Sequence, residues 1–206
     1  MKSCDKKFYA VRGQSLLDNL LARLRHNLAR KKLSAVGRSR CLDIGCGNYP
    51  FLLISLDFTE KYGLEKDISP ESHESANRQH IQLVRQDLQL SQSLPFPDGY
   101  FDAVTMLAVI EHLPPPVVVP LLKDIRRVLV SGGLLILTTP AAFTDIILRT
   151  LAGMRLISRV EIEDHKDLFT RKKLQQRLVD AAFCPKLIHT GSFECGMNLW
   201  AAARKD

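Results

Sequence analysis

The stretch CLDIGCGNYP, residues 41–50, decides the fold. An apolar run carrying one acid ends in two glycines with a single residue between them. Glycine is favoured where the backbone must turn through positive φ or where something approaches it closely. An apolar strand that passes through such a loop into a helix presents backbone N–H groups to a ligand. Arg40 to Ile44 therefore reads as a short buried strand, and Pro50 suits the first turn of the helix that follows. Two common ligands are excluded by the spacing. A dinucleotide loop needs a third small residue at the place taken by Pro50, and a phosphate loop needs a Gly-Lys-Ser/Thr ending that is absent here.

Working outward, residues 62–66 (YGLEK) read as a second strand, 81–88 (IQLVRQDL) as a third and 101–109 (FDAVTMLAV) as a fourth. Ser69-Pro70-Glu71 supplies an N-cap, a proline at the first helical position and an early acid for the helix between the second and third strands. A helix runs through Leu121 to Val130, and Gly132-Gly133 turn into a fifth strand, LLILTT. This rhythm predicts a Rossmann-like, doubly wound, mostly parallel sheet of seven strands with helices on both faces. A Thr170-capped helix carrying Leu174 and Leu178 then leads to PKLIHTGSF and MNLWAAAR, split by Glu194-Cys195-Gly196, which read as an antiparallel hairpin at the sheet edge.

Three acids fall at matching places. Asp43 precedes Gly45 at the C-terminal edge of the first strand, where it suits a cation better than a pyrophosphate. Glu65 ends the second strand about 20 residues after the glycines, where a carboxylate accepts ribose hydroxyls. Asp87 ends the third, placed to accept from an exocyclic amine. Open α/β sheets bind ligands at the C-terminal ends of their strands. Together with Gly45 and Gly47 the acids describe a pocket for a positively charged nucleoside without phosphates.

Six segments resemble the class I S-adenosylmethionine-dependent methyltransferases, in family order over residues 40–140. They are LDIGCG (42–47), GLE (63–65), QDL (86–88), LPFPDGYFDAV (94–104), EHL (111–113) and RVLVSGGLLI (127–136). The nearest likeness is to the small-molecule branch called type 11, and residues 164–183 look like that family's tail helix. The resemblance implies S-adenosyl-L-methionine as cofactor, with Asp43, Gly45 and Gly47 facing its methionine part and Glu65 its ribose. Asp87 and Leu88 would hold the adenine, and Leu107 and Ala108 would lie along the cofactor. No metal is implied. Where many relatives read glycine-acid-Ile-Ser-Pro, this chain inserts Lys66-Asp67 after Gly-Leu-Glu, so Asp67 competes with Glu65 for the ribose. Glu65 is preferred because it directly follows the strand pattern.

Composition sets the outer limits. The 206 residues, 46% hydrophobic and 25% charged, suit one domain with a full core. No apolar stretch is long enough for a membrane span, the N-terminus lacks a signal-peptide core, and the five cysteines form no CxxC pair. The expectation is a soluble protein of the reducing cytoplasm. Residues 1–40 hold 11 Lys/Arg against 2 Asp/Glu, a net of +9, while the remaining 166 residues hold 18 against 20. Within that basic segment Leu17, Leu20, Leu21, Leu24 and Leu28 recur at helical spacing. Residues 1–39 are thus expected to form a basic amphipathic cap, and 40–206 the cofactor-binding domain. The cap's basic side could make weak contact with an anionic surface.

Methyl transfer from a sulfonium is an in-line displacement, so the protein must align the nucleophile and exclude water. An acceptor of high pKa also needs a base. His112, after the fourth strand, and His165, in EIEDHKDLF, are the candidates. The fourth strand ends in AVIEHL and lacks the Asn/Asp-Pro-Pro-aromatic loop associated with amino methylation of nucleic-acid bases. A small-molecule or lipid- or glycan-linked acceptor is therefore expected. Residues 140–163, with Phe143, Ile146, Ile147, Leu151 and Met154, would line its site. The competing readings are an inactive cofactor-binding subunit and a nucleic-acid methyltransferase using the basic arm.

Overall fold

A computed structural model describes residues 16–34, 36–142 and 168–206, with side chains from residue 21 onward. His165 and the apolar residues 143–163 lie outside the described residues. The strands are β1 (Arg40–Ile44), β2 (Glu60–Glu65), β3 (Ile81–Arg85), β4 (Phe101–Leu107), β5 (Leu129–Pro140), β6 (Ile188–Phe193) and β7 (Asn198–Arg204). They form a 7-stranded sheet in the order β3-β2-β1-β4-β5-β7-β6. The pairs among β1 to β5 are parallel, whereas β7 runs antiparallel to both β5 and β6. The expected hairpin is thus present, with β7 inserted beside β5 and β6 outermost.

Among the described residues the helices are α1 (Leu16–Leu33), α2 (Phe51–Ser55), α3 (Pro70–Arg78), α4 (Pro115–Val128) and α5 (Arg171–Asp180). They cover the two faces unequally. On one face, Leu121, Leu122 and Ile125 of α4 and Leu174 and Leu178 of α5 pack on Leu42, Val104, Leu135 and Ala203. On the other, Ala29 and Leu33 of α1, Leu52 and Leu53 of α2 and Ala76 of α3 pack on Cys41, Ala103, Ile136 and Ala202. Alternating strand residues feed the two cores, as a sheet buried on both sides requires. The Ser69 hydroxyl caps α3 by accepting from Ser72 N–H, and the Thr170 hydroxyl caps α5 by accepting from Lys173 N–H, as expected.

Several boundaries differ from the sequence reading. α4 begins at Pro115 and not near Leu121, because the prolines of its first turn give up N–H groups that have no helical partner there. Val130 belongs to β5, which starts before Gly132-Gly133. The extra residues are taken up by a register shift, since Phe101 pairs with Leu129 and Ala103 with Leu134. β3 stops at Arg85, so Asp87 lies beyond the strand and not at its end. There it forms a turn: Gln89 N–H donates to Asp87 Oδ1 and Leu90 N–H to the Asp87 carbonyl.

Within the described part of the leucine stripe of α1, none of Leu21, Leu24 and Leu28 is fully buried. Leu24 is 39% exposed, whereas Ala29 and Leu33, on the far side of the helix from it, are buried. Ala29 carries no bulk and lets the helix lie close to the sheet. Lys32 sits over the Trp200 ring, its Nζ 3.3 Å from the centroid, and Arg25 donates to Asn198 Oδ1. Because Asn198 opens β7 and Trp200 follows it, α1 descends along the sheet from the C-terminal end of the parallel strands.

At that same end the chain leaves β5 and returns. Ala141 bridges Phe169 in parallel, and Ala142 N–H donates to the Phe169 carbonyl at 2.8 Å. The residues flanking 143–167 are thereby joined to each other.

Candidate functional site

β1 stands where the strand order reverses, with β2 on one side and β4 on the other. This topological switch opens a crevice at the C-terminal strand ends. The glycine loop occupies it. Gly45 N–H donates to the Leu64 carbonyl at 2.8 Å, carrying the β1–β2 ladder one residue into the loop. Gly45 and Gly47 have φ of 72° and 69°. A Cβ on Gly45 would lie 2.3 Å from Val109 Cγ2, so Gly45 is required by the approach of the segment after β4. A Cβ on Gly47 would meet nothing within 4 Å. The first glycine answers to packing, and the second leaves open space beside a bare backbone.

Glu65, at the end of β2, reaches into this loop. Its Oε2 accepts from Gly47 N–H at 2.9 Å, and its Oε1 accepts from Lys66 N–H at 2.7 Å. Asp67 is exposed and stands two residues beyond the strand. Asn48 ties the loop to the next helix, its Oδ1 accepting from Ser69 N–H and from the Ser72 hydroxyl.

Asp43 lies below the loop and is 5% exposed. It pairs in register with Thr105 of β4, whose hydroxyl donates to Asp43 Oδ1 at 2.6 Å. Burial pushes the Asp43 carboxyl up to about 7. The Thr105 bond pulls it back, and the neighbouring Glu65 charge pushes it further up. A carboxyl in that state is poised to ionise when a cation arrives.

The remaining candidates ring the crevice. Lys66 Nζ stands 3.3 Å from Asp87 Oδ2, and Leu88 is buried in the core. Leu107 ends β4, and Ala108 takes φ of 56°, a left-handed conformation unusual for a residue with a Cβ. Ala108 N–H donates to the Thr138 carbonyl, which holds that turn against β5. His112 closes the following short turn, half-buried. The structure therefore gathers Asp43, Gly45, Gly47 and Glu65 tightly. Leu107, Ala108 and His112 lie on the β4 side, and Asp87 and Leu88 on the β3 side.

The sequence reading missed Thr105, because nothing in a single strand reveals which neighbour faces its acid. It also missed Glu111, quoted within EHL but given no role. Glu111 is 2% exposed, and its carboxyl is pushed up by burial.

Residues 42–137 match the family model described as Methyltransferase domain. No curated protein matches the chain. Among solved structures, the chain is similar to a Thermotoga maritima SAM-dependent methyltransferase described as a possible histamine N-methyltransferase. Identity there is 20% over 92% of this chain and 96% of the other, with a TM-score of 0.63. A SAM-dependent methyltransferase of Archaeoglobus fulgidus shares 18% identity over 91% of this chain and 94% of its own, with a TM-score of 0.63. The Haloferax volcanii complex of the Trm112 methyltransferase activator with a putative methyltransferase gives 15% identity, 91% of each chain and a TM-score of 0.66. At these identities the structures report the fold.

Proposed function

We propose, on the match of residues 42–137 to the methyltransferase family model, that this protein is a class I S-adenosylmethionine-dependent methyltransferase that transfers a methyl group to a small-molecule or lipid- or glycan-linked acceptor. The observation that carries the reading is the convergence of a buried cation-seeking carboxyl, Asp43, with the Glu65-braced glycine loop at the reversal of strand order. The open space at Gly47 supports it, because the loop is tight on the Val109 side and vacant on the other.

In this reading Asp43, Gly45 and Gly47 hold the methionine part of the cofactor, Glu65 its ribose, and Asp87 and Leu88 its adenine. Leu107 and Ala108 lie alongside. The cofactor, when bound, supplies a methyl group on a sulfonium whose sulfur departs neutral. The chain's own work is to orient the acceptor and keep water from the reacting face. Acceptors of high pKa also need a proton removed, and His112 or His165 is assigned that role. Residues 1–39 act as the cap, which brings the N-terminal half of α1 towards the crevice. We place the protein in the cytoplasm; among the described residues no helix is long and apolar enough to cross a membrane.

Calorimetry with S-adenosylmethionine, S-adenosylhomocysteine and NADH tests this. Both adenosyl ligands are expected to bind, and NADH much more weakly. Glu65→Ala is expected to cost about 1–3 kcal/mol of that affinity through lost charged hydrogen bonds. Tight NADH binding without heat from either adenosyl ligand sinks the proposal, and loss on Asp67→Ala but not Glu65→Ala moves the ribose to Asp67.

A further inference from the structure

We propose that Thr105 is a positioning residue of the cofactor site: its hydroxyl holds the Asp43 carboxyl by one oxygen, Oδ1, and leaves the other, Oδ2, to take the ammonium of the cofactor's methionine part. The inference rests on the methyltransferase reading and adds to it a residue of β4 that acts through Asp43.

Asp43 and Thr105 are register partners on the adjacent parallel strands β1 and β4, so their side chains leave the sheet on the same face. Thr105 is fully buried, and its hydroxyl donates to Asp43 Oδ1 at 2.6 Å. The same hydroxyl oxygen lies 3.4 Å from the Leu42 carbonyl. A hydroxyl has one hydrogen to give, and the shorter contact to a carboxylate takes it. Of the two strands beside β1, β4 alone can supply a side-chain donor at that register. On the β2 side the partner of Asp43 is Gly63, which has no side chain, and a Cβ there would stand 2.6 Å from Cys46 Sγ and 2.7 Å from Leu83 Cδ2. The branched Cβ of threonine also restricts its rotamers, which fixes where the hydroxyl points.

The second carboxyl oxygen is the one left over. Among the described residues no donor bonds to Asp43 Oδ2, yet it is not one of the fully buried side-chain oxygens that lack a partner. The 5% of Asp43 that stays exposed therefore includes Oδ2, near the C-terminal end of β1 where the glycine loop begins. Tied at one oxygen and open at the other, the carboxyl is set in direction as well as in place. An ammonium brings that oxygen both N–H donors and a positive charge, whereas a sulfonium brings charge without a donor. The groups that bear on Asp43 come from three places. Burial pushes its carboxyl up to about 7, the Thr105 bond from β4 opposes that push, and the Glu65 charge at the end of β2 adds to it. Cys41 and Cys46, on its own strand and loop, are kept as neutral thiols by burial. Thr105 is thus the one of these partners that favours the ionised form, and its loss moves ionisation to higher pH.

The test follows, by calorimetry across neutral pH, the binding of S-adenosylhomocysteine and of methylthioadenosine, which lacks the amino-acid end. In the unmodified chain S-adenosylhomocysteine is expected to bind more tightly as pH rises through about 7, where Asp43 ionises, and methylthioadenosine to be nearly indifferent to pH. Thr105→Val keeps the branched shape and removes the donor. It should move the midpoint up by about one unit or more and weaken S-adenosylhomocysteine about tenfold at neutral pH, with methylthioadenosine little changed. Thr105→Ser restores the hydroxyl and should bring the midpoint back towards that of the parent. Independently of either variant folding, the Thr105 Cβ resonance of the unmodified chain should titrate by NMR with the same midpoint. A midpoint unmoved in Thr105→Val, a loss of equal size at every pH or for both ligands, no recovery with Ser, or a Thr105 resonance indifferent to pH overturns the inference and leaves the methyltransferase reading intact. Failure of S-adenosylhomocysteine to bind at any pH brings down both.

Discussion

Replacing Asp43 by Asn should make the protein more stable and less able to hold its cofactor. The carboxyl is pushed from 3.8 to about 7 chiefly by burial. At about 1.36 kcal/mol per unit, ionising it inside the fold costs up to about 4 kcal/mol. The sign follows from proton counting. Between about pH 4 and pH 7 the folded chain holds a proton that the unfolded chain has released, so stability falls as pH rises through that window. The contribution is fully favourable below 3.8 and lost above about 7. Asn keeps an acceptor for the Thr105 hydroxyl and cannot ionise. Urea unfolding of both proteins at about pH 5 and about pH 8 isolates the effect, because every other titrating group is common to them. The Asn variant should gain on the parent by about 2–3 kcal/mol between those two pH values, the fraction of the total that titrates there. Its affinity for S-adenosylmethionine should fall at the same time. A stability gap that stays constant with pH would refute the reasoning. So would an Asn variant less stable than its parent at about pH 8.

Other predictions follow from single contacts. Burial on α1 and the adjacent Arg25 charge lower His26 to about 4, so the folded chain binds fewer protons than the unfolded one between about 4 and 6.5. Stability is present above 6.5 and lost as pH falls through about 4. His26→Gln should remove up to about 3 kcal/mol of that acid sensitivity in urea midpoints, and an unchanged pH profile would contradict the burial. Gly45→Ala should cost about 2 kcal/mol or more through positive φ and the Val109 clash, and Gly47→Ala about 1 kcal/mol with a larger loss of S-adenosylhomocysteine binding. Equal stability losses would show that the two glycines do the same job. Arg127 binds Asp124, Asp98 and the Leu94 and Phe96 carbonyls. Arg127→Met should therefore cost about 2 kcal/mol, and thermal melts unmoved by it would mean that the loop before β4 is held by its aromatic packing alone.

The parts of this fold that could be read from sequence are those governed by neighbours in the chain. The β1 strand and its glycine pair, the Ser69 and Thr170 caps and the final hairpin each depend on residues a few positions apart. What escaped depends on distant partners. The Leu24 stripe marks α1 as amphipathic, yet the buried face is chosen by Ala29, whose small size matters only against β4 and β5. Asp87 leaves β3 early because its side chain and carbonyl cap a turn more readily than the ladder continues. The roles of Asp43 and Glu111 show the same division. Asp43 is announced by the glycines beside it. Glu111 acquires its surroundings from Arg25 and Thr139, which reach it from two other elements.

The junction of Ala141 with Phe169 has a consequence for how such a protein can be altered. It closes the chain on itself around residues 143–167, so the ends of that stretch stay fixed whatever joins them. Loop-closure entropy rises by only about 0.6 kcal/mol for each doubling of length. A change of length between those two ends would therefore cost little in closure while the junction holds, as one changes a tool head on a fixed handle. A change made there would enter beside β5, across β4 from the glycine loop, and would leave the β1–β2 side of the sheet untouched.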